Sequence, residues 1–331
     1  MRLLILGGTG STGRALIGHL RDRDEPISIT VMSRSERELP GANQVVTGHY
    51  AQVVPTGPFR RELATFDAVV HLADGLGELQ SHRRARDTQL AEQLISASRD
   101  VAIAARDARV PCFIHVSSIK AICGEDDTRL LTEACTPAPT SLYGRSKLRL
   151  EQTLQQVFEA TETRLIIFRN PVMYAEEKAG SIQRLLALAD TPWPLPLGAL
   201  CNKRSFLAVR NLASALVAVL RAGPSAPAGV FHVHDGPPLI TTDLVTVLRK
   251  ALGRRVRLYS VGHSTQLFCH LPVLGPVARR LYGSLEVSDA SFRHTFAWSP
   301  VVQTRAGLAN MARHWQAAAS RPQRQLARAS E

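Results

Sequence analysis

The sequence has little of what marks several protein classes. Aromatic residues make up 5% of the 331 residues, and the five cysteines, at 112, 123, 135, 201 and 269, include no CxxC pair. No apolar run is long enough to cross a bilayer, and the one at the N-terminus is too short for a signal peptide. We therefore expect no disulfide framework, no metal site and no membrane span, and a protein of the reducing cytoplasm.

Acidic residues are also scarce relative to basic ones. The chain carries 40 basic and 28 acidic residues, a formal net charge of +12. The arginines form short, scattered clusters such as 83–86, 254–255 and 279–280, without a nucleic-acid-binding motif. We expect no nucleic acid partner. An anionic small-molecule substrate, with at most peripheral contact to an anionic membrane, accounts for the charge.

What is present begins with a glycine pattern near the N-terminus. The apolar run Leu3 to Leu6 predicts a buried strand, and residues 14–20 predict a helix. Between them lies Gly7-x-x-Gly10-x-x-Gly13, whose Gly8-x-Gly10-x-x-Gly13 part also fits the dinucleotide fingerprint. Such glycines allow a tight turn, close approach of a pyrophosphate and close packing of helix on strand. The pattern favours a dinucleotide site over an ordinary glycine-rich loop.

A second pattern lies about 130 residues later. The leucine spacing of residues 142–158 predicts a helix, on which Tyr143 and Lys147 share one face. A nearby ammonium favours the phenolate form of a tyrosine, so the pair suits proton transfer. The alternative is a tyrosine and a lysine that are merely neighbours on the surface.

A third pattern is a serine pair after the apolar segment 110–116. Ser117 and Ser118 follow this predicted strand, where open α/β sheets bind their ligands. The Ser118 hydroxyl is thus placed to bond a substrate oxygen while Tyr143 moves the proton. The alternative is a serine that only forms a turn.

The order of predicted elements indicates an α/β fold with a doubly wound, parallel, Rossmann-type sheet. Strands are predicted near 2–6, 27–32, 67–72, 111–116 and 164–168, with helices near 12–21, 88–107 and 142–159 between them. We expect a nucleotide-binding domain over 1–170, joined by a strand near 229–234. A smaller C-terminal substrate lobe would cover 171–317, followed by a basic, disordered tail over 318–331. The apolar stretch 266–281 is expected to pack in the second lobe; capping of the substrate and contact with lipid are the alternatives.

Taken in order, the motifs resemble the extended short-chain dehydrogenase/reductases, and within them the NAD-dependent epimerase/dehydratase branch that acts on nucleotide sugars. The resemblance covers about residues 1–315. It is carried by the glycine pattern, His71-Leu72-Ala73, Ser117-Ser118-Ile119-Lys120, Tyr143-x-x-x-Lys147, Arg169-Asn170-Pro171 and Arg204-Ser205-Phe206. The Ser117-Ser118-Ile119-Lys120 segment resembles that of bacterial members from surface-polysaccharide pathways, which include sugar-nucleotide 4-epimerases and 4-keto reductases.

The resemblance implies roles for single residues. Tyr143 would be the acid/base, Lys147 would tune it and hold the cofactor ribose, and Ser118 would bind the reacting oxygen. The dinucleotide would lie against Gly7, Gly10, Ser11, Thr12, Gly13, Leu72 and Ala73. Asn170 and Arg204 would contact the substrate, Arg204 at its diphosphate; a surface arginine before a strand is the alternative for Arg204. The family also implies a homodimer through the helices of residues 88–107 and 142–159.

The choice between NAD and NADP depends on the end of the second strand. An acid there would bond the ribose 2′-hydroxyl and favour NAD. The sequence has Ser33-Arg34-Ser35, and Arg34 can accept a 2′-phosphate, which favours NADP. The alternative is that Arg34 stacks on the adenine and accepts either cofactor.

The resemblance implies an NAD(P)-dependent enzyme that epimerises a nucleotide-linked or lipid-linked sugar through a keto sugar. An NADPH-dependent 4-keto-sugar reductase is the first alternative, and a non-catalytic dinucleotide sensor or assembly module is the second. Two further groups are given structural interpretations. Residues 125–127, three acids in a row, are expected to form a solvated loop. His232-Val233-His234-Asp235 is expected to end a strand and begin a turn instead of binding metal.

Overall fold

The computed structural model describes the chain except residues 22–25, 35–37, 55, 74, 77–83, 176–181, 199, 224–225, 261–280 and 329–331. At 51, 84–85 and 319–328 it describes the backbone alone. Most of the stretch 266–281 and the acid Glu36 lie outside the described residues. Eleven strands are described: β1 (Arg2–Leu6), β2 (Ser28–Ser33), β3 (Gln44–Thr47), β4 (Ala68–His71), β5 (Cys112–Ser118), β6 (Asp127–Leu131), β7 (Arg164–Asn170), β8 (Val172–Tyr174), β9 (Phe206–Ala208), β10 (Gly229–Phe231) and β11 (Leu285–Val287).

Helices follow most of the strands. They are α1 (Ser11–Arg21), α2 (Tyr50–Val53), α3 (Gly57–Leu63), α4 (Arg84–Asp107), α5 (Leu142–Phe158), α6 (Gln183–Ala189), α7 (Val209–Arg221), α8 (Thr241–Ala251), α9 (Ala290–Phe296) and α10 (Thr304–Arg328). A 3₁₀ turn, Ile119–Ala121, follows β5. Among the described residues, no helix has both the length and the hydropathy that a bilayer span needs.

Seven strands form one parallel sheet in the order β10-β7-β5-β4-β1-β2-β3. Strands such as β1 and β5 are apolar and almost entirely buried, because helices cover both faces of the sheet. Helices α1 and α7 pack together, as do α4 and α5, and each of two apolar cores lies on the sheet. The predicted α/β class with a doubly wound sheet is confirmed.

The strand order reverses between β1 and β4. From β1 the chain continues to β2 and β3 on one side, and from β4 to β5 and β7 on the other. A crevice forms at such a reversal, at the carboxyl ends of the strands, and it is where these sheets bind ligands. The glycine turn after β1 and residues 72–73 after β4 lie at this point.

The later part of the chain adds a smaller set of elements with its own core. β8 pairs with β9 and β6 pairs with β11, both in parallel, and a third apolar core joins α6, α8 and α10. The strand β10 pairs with β7 at the edge of the main sheet. The backbone of α10 is helical through Arg328, into the segment expected to be a disordered tail. The division at 170 and 317 stays a prediction.

Candidate active site

The glycine turn joins β1 to α1 as a tight cradle. The Gly10 amide donates to the Gly7 carbonyl across 3.1 Å, and Gly7 has a φ of +88°, in the left-handed region that favours glycine. A Cβ at Gly13 would overlap the backbone of Gly8 and Gly7. Because no side chain fits inside the turn, the backbone amides at the start of α1 remain open to an anion.

Residues after β4 border this cradle. The Leu72 amide donates to the Leu6 carbonyl across 2.9 Å, and a Cβ placed on Gly7 would lie 2.8 Å from the Cβ of Ala73. Ser11 and Thr12 begin α1. The structure therefore brings the glycines, Ser11, Thr12, Leu72 and Ala73 together at one crevice.

The carboxyl ends of β5 and β7 place two polar residues side by side. Ser118 and Asn170 are register partners, and the Ser118 hydroxyl accepts a 3.3 Å hydrogen bond from the Lys120 amide. Asn170 is 2% exposed, and its Nδ2 lies 3.6 Å from the Met173 sulfur. Its buried Oδ1 has no hydrogen-bond partner among the described residues. The Asn170 side-chain oxygen Oδ1 is thus a buried acceptor at the carboxyl end of β7.

Helix α5 carries Tyr143 and Lys147 on one face, as the spacing predicts. The Lys147 Nζ lies 5.7 Å from the centre of the Tyr143 ring and donates to the Val116 carbonyl across 3.2 Å. Lys147 is 5% exposed, whereas Tyr143 is partly exposed. A buried ammonium therefore lies close to a phenol that is partly exposed, which is an arrangement suited to proton transfer.

Close packing at its first turn sets the position of α5. The Ser141 hydroxyl caps the helix by accepting from the Gly144 amide across 3.0 Å. A Cβ at Gly144 would overlap the carbonyl oxygen of Lys120 in the 3₁₀ turn after Ser118. The glycine next to Tyr143 thus lets α5 lie directly against the segment that holds Ser118.

A buried ionic network lies behind these residues, and sequence reasoning did not find it. Glu151 is fully buried, one turn beyond Lys147, and its Oε2 accepts from Arg169 Nε and Nη2 across 2.9 and 2.7 Å. Its Oε1 accepts from the Ser117 hydroxyl. The signal was present, because Glu151 follows Tyr143 and Lys147 at intervals of four on the same helix face.

The structure places Arg204 differently from its expected role. Its side chain is 5% exposed, and the guanidinium donates to the carbonyls of Gly283 and Glu125 across 2.8 and 3.3 Å. It is therefore not a surface arginine, and two of its donors bond the backbone of other segments. This geometry weighs against Arg204 as a diphosphate contact.

Only part of the solvated loop expected at residues 125–127 is present. Glu125 and Asp126 lie in a loop, where Asp126 is exposed and Glu125 forms a 3.1 Å ion pair with Lys120. Asp127 begins strand β6 and pairs with Arg129 across 2.8 Å. The expectation was wrong for Asp127 because β6 pairs with β11, more than 150 residues later in the sequence.

Arg34 follows the last residue of β2 and is exposed.

Residues 232–235 directly follow strand β10 at the edge of the main sheet. His234 lies 3.1 Å from Asp289, and Asp235 accepts from Tyr174 and Ala208, each across 2.7 Å. Among the described residues, no three His, Cys, Asp or Glu side chains are grouped as a metal site requires.

Comparison with known proteins agrees with this geometry. The model of the NAD dependent epimerase/dehydratase family matches residues 3–233. A UDP-glucose 4-epimerase from Vibrio cholerae is 26% identical over 304 residues, with 90% of each chain covered. A ketoreductase from Stigmatella aurantiaca, which acts on a farnesylated dihydroquinoline oxide, is 25% identical and covers 79% of this chain and 76% of its own.

A solved structure shares the fold. The UDP-glucuronic acid 4-epimerase from Bacillus cereus, in complex with UDP-glucuronic acid and NAD, superposes with a TM-score of 0.73 at 17% identity. The match covers 96% of this chain and all of that one. The family match over more than two thirds of the chain shows that this protein is an enzyme of the NAD dependent epimerase/dehydratase family.

Proposed function

We propose that the enzyme is an NAD(P)-dependent epimerase of a nucleotide-linked sugar that works through a keto sugar. The observation that carries the proposal is the Tyr143–Lys147 pair on α5, whose first turn packs against the segment that follows Ser118. The 4-epimerases among the similar proteins support a nucleotide-linked hexose as the substrate class.

The crevice fits a dinucleotide on grounds of shape and chemistry. The turn of residues 7–13 is closed to any Cβ at Gly7 and Gly13, and it ends at the first turn of α1. Backbone amides at a helix start bind phosphate oxygens well. When bound there, NAD(P) supplies the centre that takes up and returns hydride.

The chain's own residues would move and hold the proton. Tyr143 takes the proton from the sugar hydroxyl that becomes a carbonyl, and it returns a proton in the reverse step. The Lys147 ammonium stabilises the phenolate form. Ser118 donates its hydroxyl hydrogen to the substrate oxygen and so holds it within reach of Tyr143.

Asn170 and Arg204 differ in how well they suit substrate binding. The buried Asn170 Oδ1 can accept a hydrogen bond from a sugar hydroxyl. Arg204 already bonds two backbone carbonyls, so we propose that it joins the segments around Glu125 and Gly283. Its effect on the substrate would then be indirect.

The test is a panel of sugar nucleotides given to the full-length protein. UDP-glucose, UDP-N-acetylglucosamine and UDP-glucuronic acid are incubated with NAD, and the C4 epimers are separated by chromatography. We expect the wild type to convert one of them and Tyr143→Phe to lose at least about a thousandfold in turnover, as removal of an acid/base group does. If Tyr143→Phe keeps full turnover, the proposal is wrong. A protein that binds NAD(P) and converts none of the substrates would contradict the epimerase, and would leave the reductase and the non-catalytic sensor to be separated with a keto-sugar substrate.

A 4-keto-sugar reductase is the second candidate, and Arg34 favours it. Its exposed guanidinium after β2 suits a 2′-phosphate, and a reductase exchanges its cofactor with the NADPH pool. The ketoreductase among the relatives supports the same alternative.

Cofactor binding separates the two candidates. The purified protein is denatured, the released dinucleotide is identified by mass, and NAD and NADPH are titrated into the emptied protein. Retained NAD favours the epimerase, whereas an empty site that prefers NADPH favours the reductase. In the second case, Arg34→Leu should remove the preference for NADPH. Failure to bind either dinucleotide would contradict both candidates.

We also propose a homodimer through α4 and α5, in a cytoplasmic protein. A surface groove of about 530 Å³ follows α5 and is lined by Arg145, Leu148, Arg149, Gln152 and other residues. Light scattering of the purified protein tests the dimer, and Leu148→Glu should make it monomeric. A wild-type mass of one chain would contradict this part of the proposal.

A further inference from the structure

The C-terminal part of the chain exposes apolar side chains on two segments that pair with each other. Seven large hydrophobic residues are exposed among the described ones, and four of them lie in two neighbouring segments, 188–198 and 249–260. These four are Leu188, Trp193, Val256 and Tyr259, which are 37%, 72%, 41% and 49% exposed. We call this surface the Trp193 ridge. Most exposed apolar residues are scattered singly, so a group of four requires an explanation.

The backbone holds the ridge in one shape. The Leu195 amide donates to the Arg257 carbonyl and the Tyr259 amide to the Leu195 carbonyl, each across 3.0 Å. Leu195 and Leu258 form a bridge between the two segments. Trp193 and Tyr259 are therefore presented from paired backbone and not from the tip of a free loop.

A buried arginine adds a second link. Arg249 is 1% exposed, and its guanidinium donates to the carbonyls of Trp193 and Arg255, the latter across 3.0 Å. Burial and the positive charges of Arg254 and Arg257 lower the pKa of Arg249. These cations therefore lie close together, on the side of the lobe that carries the exposed tryptophan.

The charge of the ridge is mostly positive. Segment 249–260 contains Arg249, Lys250, Arg254, Arg255 and Arg257 and no acid. Segment 188–198 contributes one acid, Asp190, which pairs with Arg254 across 2.9 Å. The side chains of Lys250, Arg255 and Arg257 are exposed. The ridge therefore combines aromatic and aliphatic tips with a surplus of cations.

We propose that the Trp193 ridge docks on the surface of an anionic phospholipid bilayer. Tryptophan and tyrosine suit the boundary between headgroups and acyl chains, and lysine and arginine bind anionic headgroups at the same depth. The surplus of positive charge opposes pairing of the ridge with a second copy of itself. Burial at the acyl boundary would stabilise exposed Leu188 and Val256. A nucleic acid offers them less, because aliphatic side chains do not stack on bases as aromatic ones do.

The test is co-sedimentation of the full-length protein with lipid vesicles. Vesicles of phosphatidylcholine alone are compared with vesicles that contain about 30% phosphatidylglycerol, at about 0.05 M and about 0.5 M salt. We expect binding to the anionic vesicles at low salt, little binding to neutral ones, and a blue shift of tryptophan fluorescence on binding. The shift should disappear in Trp193→Phe.

Variants test the location. Arg255→Gln/Arg257→Gln should bind the anionic vesicles about 30-fold more weakly, the effect of two cations near such a surface. Arg61→Gln/Arg221→Gln removes the same charge from exposed positions on α3 and α7 and should bind as the wild type does. Unchanged thermal midpoints would show that all of these variants are folded.

Several results would overturn the proposal. They are equal binding to neutral and anionic vesicles, no binding to either, and equal loss of binding in both double variants. Self-association that Trp193→Ala abolishes would show that the ridge is an interface between copies. Equally salt-sensitive binding to transfer RNA, lost in Arg255→Gln/Arg257→Gln, would identify a general polyanion surface instead.

Discussion

At the scale of single residues, the face of α5 that carries Tyr143 and Lys147 also carries one buried carboxylate, Glu151. Glu151 accepts hydrogen bonds from Ser117 and Arg169, which precede Ser118 and Asn170 on β5 and β7. The carboxylate therefore joins the helix that carries Tyr143 to both strands whose ends form the crevice. Removal of either charge of a buried ion pair lowers the stability of the fold, because the other charge then remains buried without a partner.

This network predicts a graded loss of stability. Glu151→Gln should lower the free energy of unfolding by about 3 to 5 kcal/mol, because it leaves Arg169 buried and unpaired. Ser117→Ala removes one hydrogen bond and should cost about 1 to 2 kcal/mol. Chemical denaturation of both variants measures the difference. In the double variant Glu151→Gln/Arg169→Gln the loss should be smaller than the sum of the losses in Glu151→Gln and Arg169→Gln alone. Additive losses in this double variant, or equal losses in Glu151→Gln and Ser117→Ala, would contradict the interpretation.

The residues that face the crevice were easier to predict than the ones behind it. Tyr143, Lys147 and Ser118 are marked by local spacing and by their place after a strand, and the structure brings their segments together. Ser117 and Arg169 act through contacts between β5, β7 and α5, which no local pattern records. The hydrogen bonds of Arg204 could not be predicted for the same reason, since the carbonyls that accept them belong to residues 79 positions away in the sequence.

At the scale of elements, the first turn of α5 is the critical joint. Gly144 lies against the Lys120 carbonyl, and the Ser141 cap fixes where the helix begins. The helix and the turn after β5 must touch here if Tyr143 and Ser118 are to act on one substrate atom. The position therefore depends on the absence of a side chain.

Gly144→Ala should separate these two elements. The added methyl group would overlap the Lys120 carbonyl, so we expect a lower thermal midpoint and a loss of turnover of about a hundredfold, the cost of a misplacement near 1 Å. Gly18→Ala is the matched control. Gly18 lies inside α1 with nothing within 4 Å of an added Cβ, so alanine should be neutral or stabilise by about 0.5 to 1 kcal/mol. Normal turnover in Gly144→Ala would show that the joint tolerates displacement.

The strands of the main sheet other than β3 were predicted from the sequence, even where they are as short as β4 and β10, and so were α1, α4 and α5, which have helical spacing. The short strands outside the main sheet were not predicted. β6, β8, β9 and β11 have three to five residues each, and their partners are distant in sequence. Such strands are specified by tertiary pairing more than by composition.

At the scale of the whole molecule, two buried groups with opposite titrations lie where the chain returns to the sheet. Burial, with the charge of Arg169, lowers the pKa of His232 from 6.5 to about 4. Burial raises the pKa of Asp235 from 3.8 to about 6, although Asn211, Tyr174 and Ala208 donate hydrogen bonds to it. Asp235 also connects β8, β9 and α7 through these hydrogen bonds, so its protonation changes the contacts among all three elements.

The two groups change stability in opposite directions over the same pH range. The folded protein keeps a proton on Asp235 that the unfolded chain loses above pH 3.8, so this stabilisation disappears as pH rises to about 6. The unfolded chain binds a proton on His232 below pH 6.5 that the folded protein refuses, so stability rises with pH from about 4. Each pKa unit corresponds to about 1.4 kcal/mol, and the two effects largely cancel.

Single substitutions should therefore reveal a slope that the wild type hides. Between pH 4 and about 6, the thermal midpoint of His232→Gln should fall with rising pH relative to the wild type. That of Asp235→Asn should rise relative to the wild type over the same range. Midpoints measured by calorimetry across this range test both signs. Variant profiles that run parallel to the wild type would contradict the assignment.

The most direct test of the proposed chemistry follows one hydrogen atom. UDP-glucose, UDP-N-acetylglucosamine and UDP-glucuronic acid, each with deuterium at C4 of the sugar, are incubated with the wild type and with Tyr143→Phe, and the epimers are analysed by mass spectrometry. The account predicts that the wild type forms the C4 epimer of one of them with its deuterium retained, and that Tyr143→Phe forms none. An epimer that has lost its deuterium, or no epimer of any of the three substrates, would contradict it.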